Sequence, residues 1–155
     1  VRKTEDRNLA TNRKAGHDYL LGERFEAGLV LQGSEIKSMR AGQISLKEAY
    51  IRIESGEAWL INAHIAPYDP ASSTNHEPRR RRKLLLHRRQ IMELEEAVQQ
   101  KGVTLIPVRV YLKAGRAKLE LAIARGKRQY DKRRAIAQRD AEREMARDLS
   151  PRGRR

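Results

Sequence analysis

Residues 103–124 read VTLIPVRVYLKAGRAKLELAIA. Two aliphatic runs, VTLIPVRVYL and AKLELAIA, flank the tract KAGR, where Gly115 supplies a turn. In the second run Leu119, Leu121 and Ile123 fall on one face, and Lys118 and Glu120 on the other. Such alternation marks a strand with one buried side, and two such runs joined through a glycine turn predict a hairpin. A sheet, rather than a helical bundle, therefore organises this chain.

Upstream of the hairpin the period changes. From about Lys83 to Lys101, Ile91, Leu94 and Val98 recur at i, i+3 and i+7, and Gly102 stands as the stop, which predicts a helix. The stretch DPASSTNHEPRRRR before it carries two prolines and many small polar residues and predicts a loop. Before that, ISLKEAYIRIESGEAWLINAHIAPY predicts a second hairpin. In it Tyr50 and Arg52 alternate with Ile51 and Ile53, ESGE turns the chain, and Trp59, Ile61 and Ala63 alternate with Leu60, Asn62 and His64 until Pro67. GSEIKSMRAG reads as one short helix, with Ser34 as N-cap, Ile36 and Met39 on one face, and Gly42 as the left-handed stop. HDYLLGERFEAGLVLQ reads as extended, with Gly22 and Gly28 as bends. The order predicts an α+β, mainly β fold. A closed or partly closed barrel of the oligonucleotide-binding (OB) type, with short flanking helices, would dispose of the sheet edges. The expected division is a loose basic arm over 1–16, a barrel over 17–125 and a basic tail over 126–155.

Charge sets the class of partner. The 155 residues carry 34 Lys+Arg against 20 Asp+Glu, a net +14. Residues 126–155 hold 11 of those cations and 5 of the acids, a net of +6, which leaves 14 − 6 = +8 for residues 1–125. An excess of this size favours a polyanion, nucleic acid first. The tail's large apolar residues are Tyr130, Ile136, Met145 and Leu149. They bury too little to offset an ordering cost of roughly 1–2 kcal/mol per residue, so the tail is expected to be disordered when free. RRAIAQRDAEREMARDL within it is nevertheless rich in good helix formers, and a helix against RNA is expected there.

Other classes find less support. Apolar runs such as AWLI and KLLLH are too short to span a bilayer, and the first sixteen residues have no apolar core of a secretory signal. The chain reads as cytoplasmic, with no membrane partner and no small-molecule substrate. It has no cysteine, hence no disulfide and no thiolate zinc site. His17, His64, His76 and His87 form no H-x-x-x-H pair, so no metal is expected. Nucleotide-binding glycine motifs and a nucleophile elbow are absent, so the expectation is no cofactor and no catalytic residue.

Binding chemistry is richer. Arg79, Arg80, Arg81, Arg82 and Lys83, followed by Arg88 and Arg89, are candidate phosphate contacts, as are Arg13 and Lys14 near the N-terminus. A solvated basic loop with no fixed partner is the plainer alternative for the run. Tyr130, amid Lys127, Arg128, Lys132 and Arg133, has the setting of a base-stacking ring worth ~1–3 kcal/mol. Packing on a strand edge would equally account for a lone tyrosine. From these features an RNA-binding adaptor, another ribosome-associated or assembly factor, and an RNA-processing enzyme all stay open.

The blocks NRKAGHDY, FEAGLVLQGSEIKSMRAG, NAHIAPY, RRKLLLHRRQI and ARGKRQYDKR occur in this order over nearly the whole chain. Together they resemble the SmpB family of tmRNA-binding proteins. The resemblance implies an OB-type barrel that holds the tRNA-like domain of tmRNA in place of a missing anticodon arm. It implies rescue of 70S ribosomes stalled on messages that lack a stop codon, with elongation factor Tu in the alanyl-tmRNA complex. The tail would enter the small-subunit decoding centre and the empty mRNA channel. By position, the resemblance assigns tmRNA binding to Glu26, Leu85, His87 and Lys118, with His87 where some members have Asn. It assigns the decoding-centre role to Gly126, Lys127, Arg128, Tyr130, Asp131, Lys132 and Arg133, with Tyr130 where some members have His.

Overall fold

The computed structural model describes residues 7–68, 75–127 and 138–145. In chain order the elements are β1 (Arg7–Thr11), α1 (Arg13–Asp18), β2 (Tyr19–Leu29), α2 (Gly33–Arg40), β3 (Ile44–Ser45) and β4 (Tyr50–Glu54). They continue with β5 (Glu57–Ile61), β6 (His64–Ile65), β7 (Arg82–Leu85), α3 (Arg88–Val98), β8 (Val103–Lys113) and β9 (Arg116–Gly126).

The main sheet curls back on itself. β8, β4, β5, β7, β2 and β9 are neighbours in that order, and β9 pairs with β8 again. Two junctions are thin: β4 meets β8 through the single register pair Ile51 and Leu105, and β2 meets β7 through two. The result is a partly closed barrel of the OB type. Alternation fills its interior with Ile51, Leu60, Leu84, Leu105, Val110, Leu119 and Leu121, all buried. Met39 of α2 and Leu94 of α3 join this core, and α3 packs on β8 and β4 beside the thinnest junction. A smaller cluster lies outside the barrel, where Ala15 of α1 covers Ile106 and Ala124.

Both expected hairpins form. Each turns through two residues of positive φ, Ser55 (51°) with Gly56 (74°) and Ala114 (51°) with Gly115 (76°). Those angles give the type I′ geometry whose twist matches the strands. Pro107 pairs with Leu121 and stands beside a register shift between Pro107 and Arg109, the kind of irregularity at which a strand accepts proline.

Three local expectations need correction. The first sixteen residues are not simply a loose arm: β1 pairs with β8, and α1 begins at Arg13. Their polar composition hides this because, among the described residues 7–16, only Ala15 is buried and the strand's hydrogen bonds are made by backbone. The helix expected from Lys83 begins instead at Arg88, because Arg82–Leu85 is β7, wedged between β5 and β2. A short apolar run such as KLLL fits either structure, and sheet pairing decides it. The N-cap of α2 is Gln32 rather than Ser34; its backbone N–H donates to Glu35 Oε1 (2.8 Å). In the tail, residues 138–145 are helical and exposed throughout. The positions Arg128, Tyr130, Asp131, Lys132 and Arg133 lie outside the described residues.

Candidate nucleic-acid interface

Along β2, Phe25, Ala27 and Leu29 point into the core, so Arg24, Glu26 and Gly28 line the outer face. Gly28 pairs with Leu85 of β7 on one side and with Lys118 of β9 on the other. Three of the four residues assigned to tmRNA binding, Glu26, Leu85 and Lys118, thus share one surface. A Cβ built on Gly28 would lie 3.2 Å from the Leu85 Cβ, so the absent side chain lets Leu85 lean across β2. Leu85 is 56% exposed, in a strand whose neighbour Leu84 is 1% exposed. His87, two residues further on, is exposed at the N-cap of α3, and its backbone N–H donates to Gln90 Oε1 (3.1 Å).

Beside this surface lies a groove of about 460 Å³. Val30, Leu85 and Leu112 supply apolar walls, and Arg40, Arg116 and Lys118 supply cations, with no carboxylate in the lining. An apolar wall with a cationic rim accepts a ribose or base face while its phosphates stay at the edge.

A polar ladder crosses the same face. Arg24 and Arg109 both donate to the Glu120 carboxylate at 2.8 Å. The Arg109 guanidinium lies over the Tyr111 ring, 4.2 Å from its centroid, and the Tyr111 hydroxyl donates to Glu26 Oε2. Lys113 Nζ stands 3.5 Å from the same oxygen. The Tyr111 hydrogen bond, reinforced by Lys113 and Lys118, holds the Glu26 carboxyl below its ordinary pKa. Burial alone would raise Glu120, but Arg109 and Arg24 outweigh it and keep its pKa low. Sequence reading missed Tyr111, Arg109 and Glu120. Counting back from the Ala114–Gly115 turn would have paired Tyr111 with Lys118 and Arg109 with Glu120.

The run Arg79–Lys83 splits in two. Arg82, a candidate phosphate contact by sequence, is 0% exposed. It donates to Glu35 Oε2 (2.6 Å), Ala63 O (2.7 Å) and Pro78 O (2.9 Å), which leaves it no face for a phosphate. Arg80 also donates to Glu35. Burial pushes the Glu35 carboxyl up, yet the bonds from Arg80, the Gln32 N–H and Arg82 prevail and its pKa stays depressed. Arg79, Arg81 and Lys83 project outward, to Asn62, Glu54 and Glu57 respectively. Arg81 also covers the Trp59 ring at 4.8 Å. A string of like residues conceals this partition: only Arg82 and Lys83 belong to β7, where alternation turns the first inward and the second outward.

Arg13 and Lys14 are exposed on α1, which covers the far stretch of β8 and β9 rather than the Lys118 end. There Gly126 pairs with Tyr19, and Lys127 Nζ donates to Gly16 O (2.9 Å). No group of histidines and carboxylates among the described residues is arranged to hold a metal, and no described helix is long and apolar enough to cross a membrane.

A family model described as "SmpB protein" matches residues 9–151. The SsrA-binding protein of Desulforudis audaxviator (strain MP104C) is 54% identical over 142 residues, covering 92% of this chain and 93% of that protein. The SsrA-binding protein of Roseiflexus castenholzii (strain DSM 13941 / HLO8) is 55% identical over 150 residues, covering 96% and 95%. A chain in the solved structure described as "tmRNA-SmpB: a journey to the center of the bacterial ribosome" matches with a TM-score of 0.66 and 47% identity, over 76% of this chain and 83% of that one.

Proposed function

The chain belongs to the SmpB protein family, and from that membership we propose that it is the RNA-binding adaptor of trans-translation. It binds tmRNA and works with it on the bacterial ribosome. The barrel grips the tRNA-like domain through Glu26, Leu85, His87 and Lys118, and brings it to ribosomes stalled on messages without a stop codon. Residues beyond Lys127 probe the decoding centre and the vacant mRNA channel, with Tyr130 stacking on a base and Arg128, Asp131, Lys132 and Arg133 framing it, while Gly126 and Lys127 root the tail on the barrel. An intact message would exclude that segment sterically, so the tail reads vacancy and charge rather than codons. Elongation factor Tu joins through the alanylated RNA. The protein carries out no chemistry of its own, and its place is the cytoplasm.

One observation carries this division of labour. Lys118 lies near the start of β9 and Gly126 at its end, eight residues on in the sequence. At about 3.3 Å per residue the strand separates the two by about 26 Å. A single rigid strand thus joins the RNA-gripping surface to the root of the basic tail.

RNA recovered with the full chain from a bacterial lysate tests the proposal. It should be dominated by tmRNA. Predominant precursor ribosomal RNA would favour an assembly factor, and shortening of RNA incubated with pure protein would favour a processing enzyme.

A further inference from the structure

The outer barrel face holds its recognition carboxylate in an unusual way. Glu26 sits on β2, and the residue that binds it, Tyr111, sits on β8, with β9 lying between the two. Adjacent strands are about 4.8 Å apart, so the tyrosine reaches over a whole strand to meet the carboxylate. Its ring is almost fully covered, at 2% exposure, while Glu26 is exposed. The ring is itself fixed, for the Arg109 guanidinium lies over it and Arg109 is tied to Glu120 at 2.8 Å. The acceptor is therefore presented to solvent from a buried, braced support.

A carboxylate in that position has a restricted repertoire. It accepts hydrogen bonds and repels phosphate. The RNA groups that suit it are base N–H donors and the ribose 2′-hydroxyl. Lys113, 3.5 Å from the carboxylate, and Lys118 of β9 bring positive charge for the adjoining phosphates, and β7 adds the uncharged Leu85.

We propose that Tyr111 is a positioning residue for RNA recognition: its hydroxyl holds the Glu26 carboxylate aimed outward, so that Glu26 reads an N–H or 2′-OH donor of the bound RNA rather than its phosphates. This inference rests on the assignment of tmRNA as the ligand. The groups facing Glu26 are Tyr111, Lys113 and Arg109 from β8, Lys118 and Glu120 from β9, and Arg24 on its own strand. Of these only Tyr111 donates a hydrogen bond from a neutral group, so removing its hydroxyl leaves the formal charge of the face unaltered. Arg24 and Arg109 are engaged with Glu120.

The decisive experiment compares the full-length protein with Tyr111→Phe and Glu26→Gln on the transcribed tRNA-like domain of tmRNA. Tyr111→Phe keeps the ring and the Arg109 stack, and a thermal melt confirms folding. The Glu26 side-chain carboxyl is followed by carbon NMR during acid titration of the free protein. Tyr111→Phe should raise the Glu26 midpoint, weaken RNA binding about tenfold, and leave the salt slope unchanged. Combined with Glu26→Gln it should add little further loss. An unmoved carboxyl midpoint, unchanged affinity, or a loss fully additive with that of Glu26→Gln would overturn the positioning role. Failure of the parent protein to prefer this RNA over an unrelated transcript of equal length would instead overturn the tmRNA assignment, and the inference with it; the NMR midpoint separates the two failures.

Discussion

Arg82 Nε lies 2.6 Å from Glu35 Oε2, and neither side chain has exposed surface. The pair joins α2 to β7, and so fixes the strand that carries Leu85. Removing one member strands a buried charge. Glu35→Ala should cost about 3–5 kcal/mol in urea denaturation, and a Glu35→Ala, Arg82→Met double variant should recover part of that. The sign of its pH effect follows from the depressed Glu35 pKa. The stabilisation is full above the unfolded carboxyl pKa, about 4.3, and fades as pH falls through the lower folded value. Glu35→Gln should flatten this acid limb.

Leu85 is an apolar side chain kept in solvent beside Gly28. Leu85→Ala should leave stability within about 0.5 kcal/mol. Affinity for the tRNA-like domain, measured by filter binding, should fall by about 1 kcal/mol, the value of burying part of such a chain against RNA.

Cations on the outer face of the barrel and in its interior should behave differently in salt. Lys118→Met, on the groove, should reduce the log–log salt slope of RNA binding by roughly 0.7–0.9. Arg82→Met should leave the slope unaltered in whatever fraction stays folded, since every donor of Arg82 with a partner in this structure is turned to the protein interior.

Ala114 adopts φ 51° in the β8–β9 turn. A Cβ in the left-handed region costs about 1–2 kcal/mol, offset in part by the entropy glycine loses. Ala114→Gly should therefore raise stability by about 0.5–1 kcal/mol in chemical denaturation, without changing RNA affinity.

The parts of this molecule that the sequence made plain are those set by local pattern. Leu119 and Leu121 alternate with Lys118 and Glu120, and the turn at Gly115 fixes the hairpin register. Ile91, Leu94 and Val98 gave the period of α3 but not its start, because Arg82–Leu85 became a strand through partners far away in the chain. The candidate interface was legible in its members and not in its construction. Glu26, Leu85 and Lys118 converge on Gly28, which no periodicity reveals, and the Tyr111 contact to Glu26 links residues 85 positions apart. The burial of Arg82 was invisible for the same reason, since Glu35 lies 47 positions away.

The most direct test of the account separates the barrel from the tail. The barrel extends further than the sequence suggested: Arg125 and Gly126 pair with Leu20 and Tyr19, and Lys127 donates to Gly16 O. Truncation belongs after Lys127, where it spares these contacts. Affinity of the truncated protein for the tRNA-like domain is to be measured beside tmRNA-dependent tagging of peptides on stalled ribosomes. Affinity within about twofold of the parent, well under 1 kcal/mol, with tagging abolished, is the predicted result. Tagging at the parental level, or loss of RNA affinity in a protein that still folds, would contradict it.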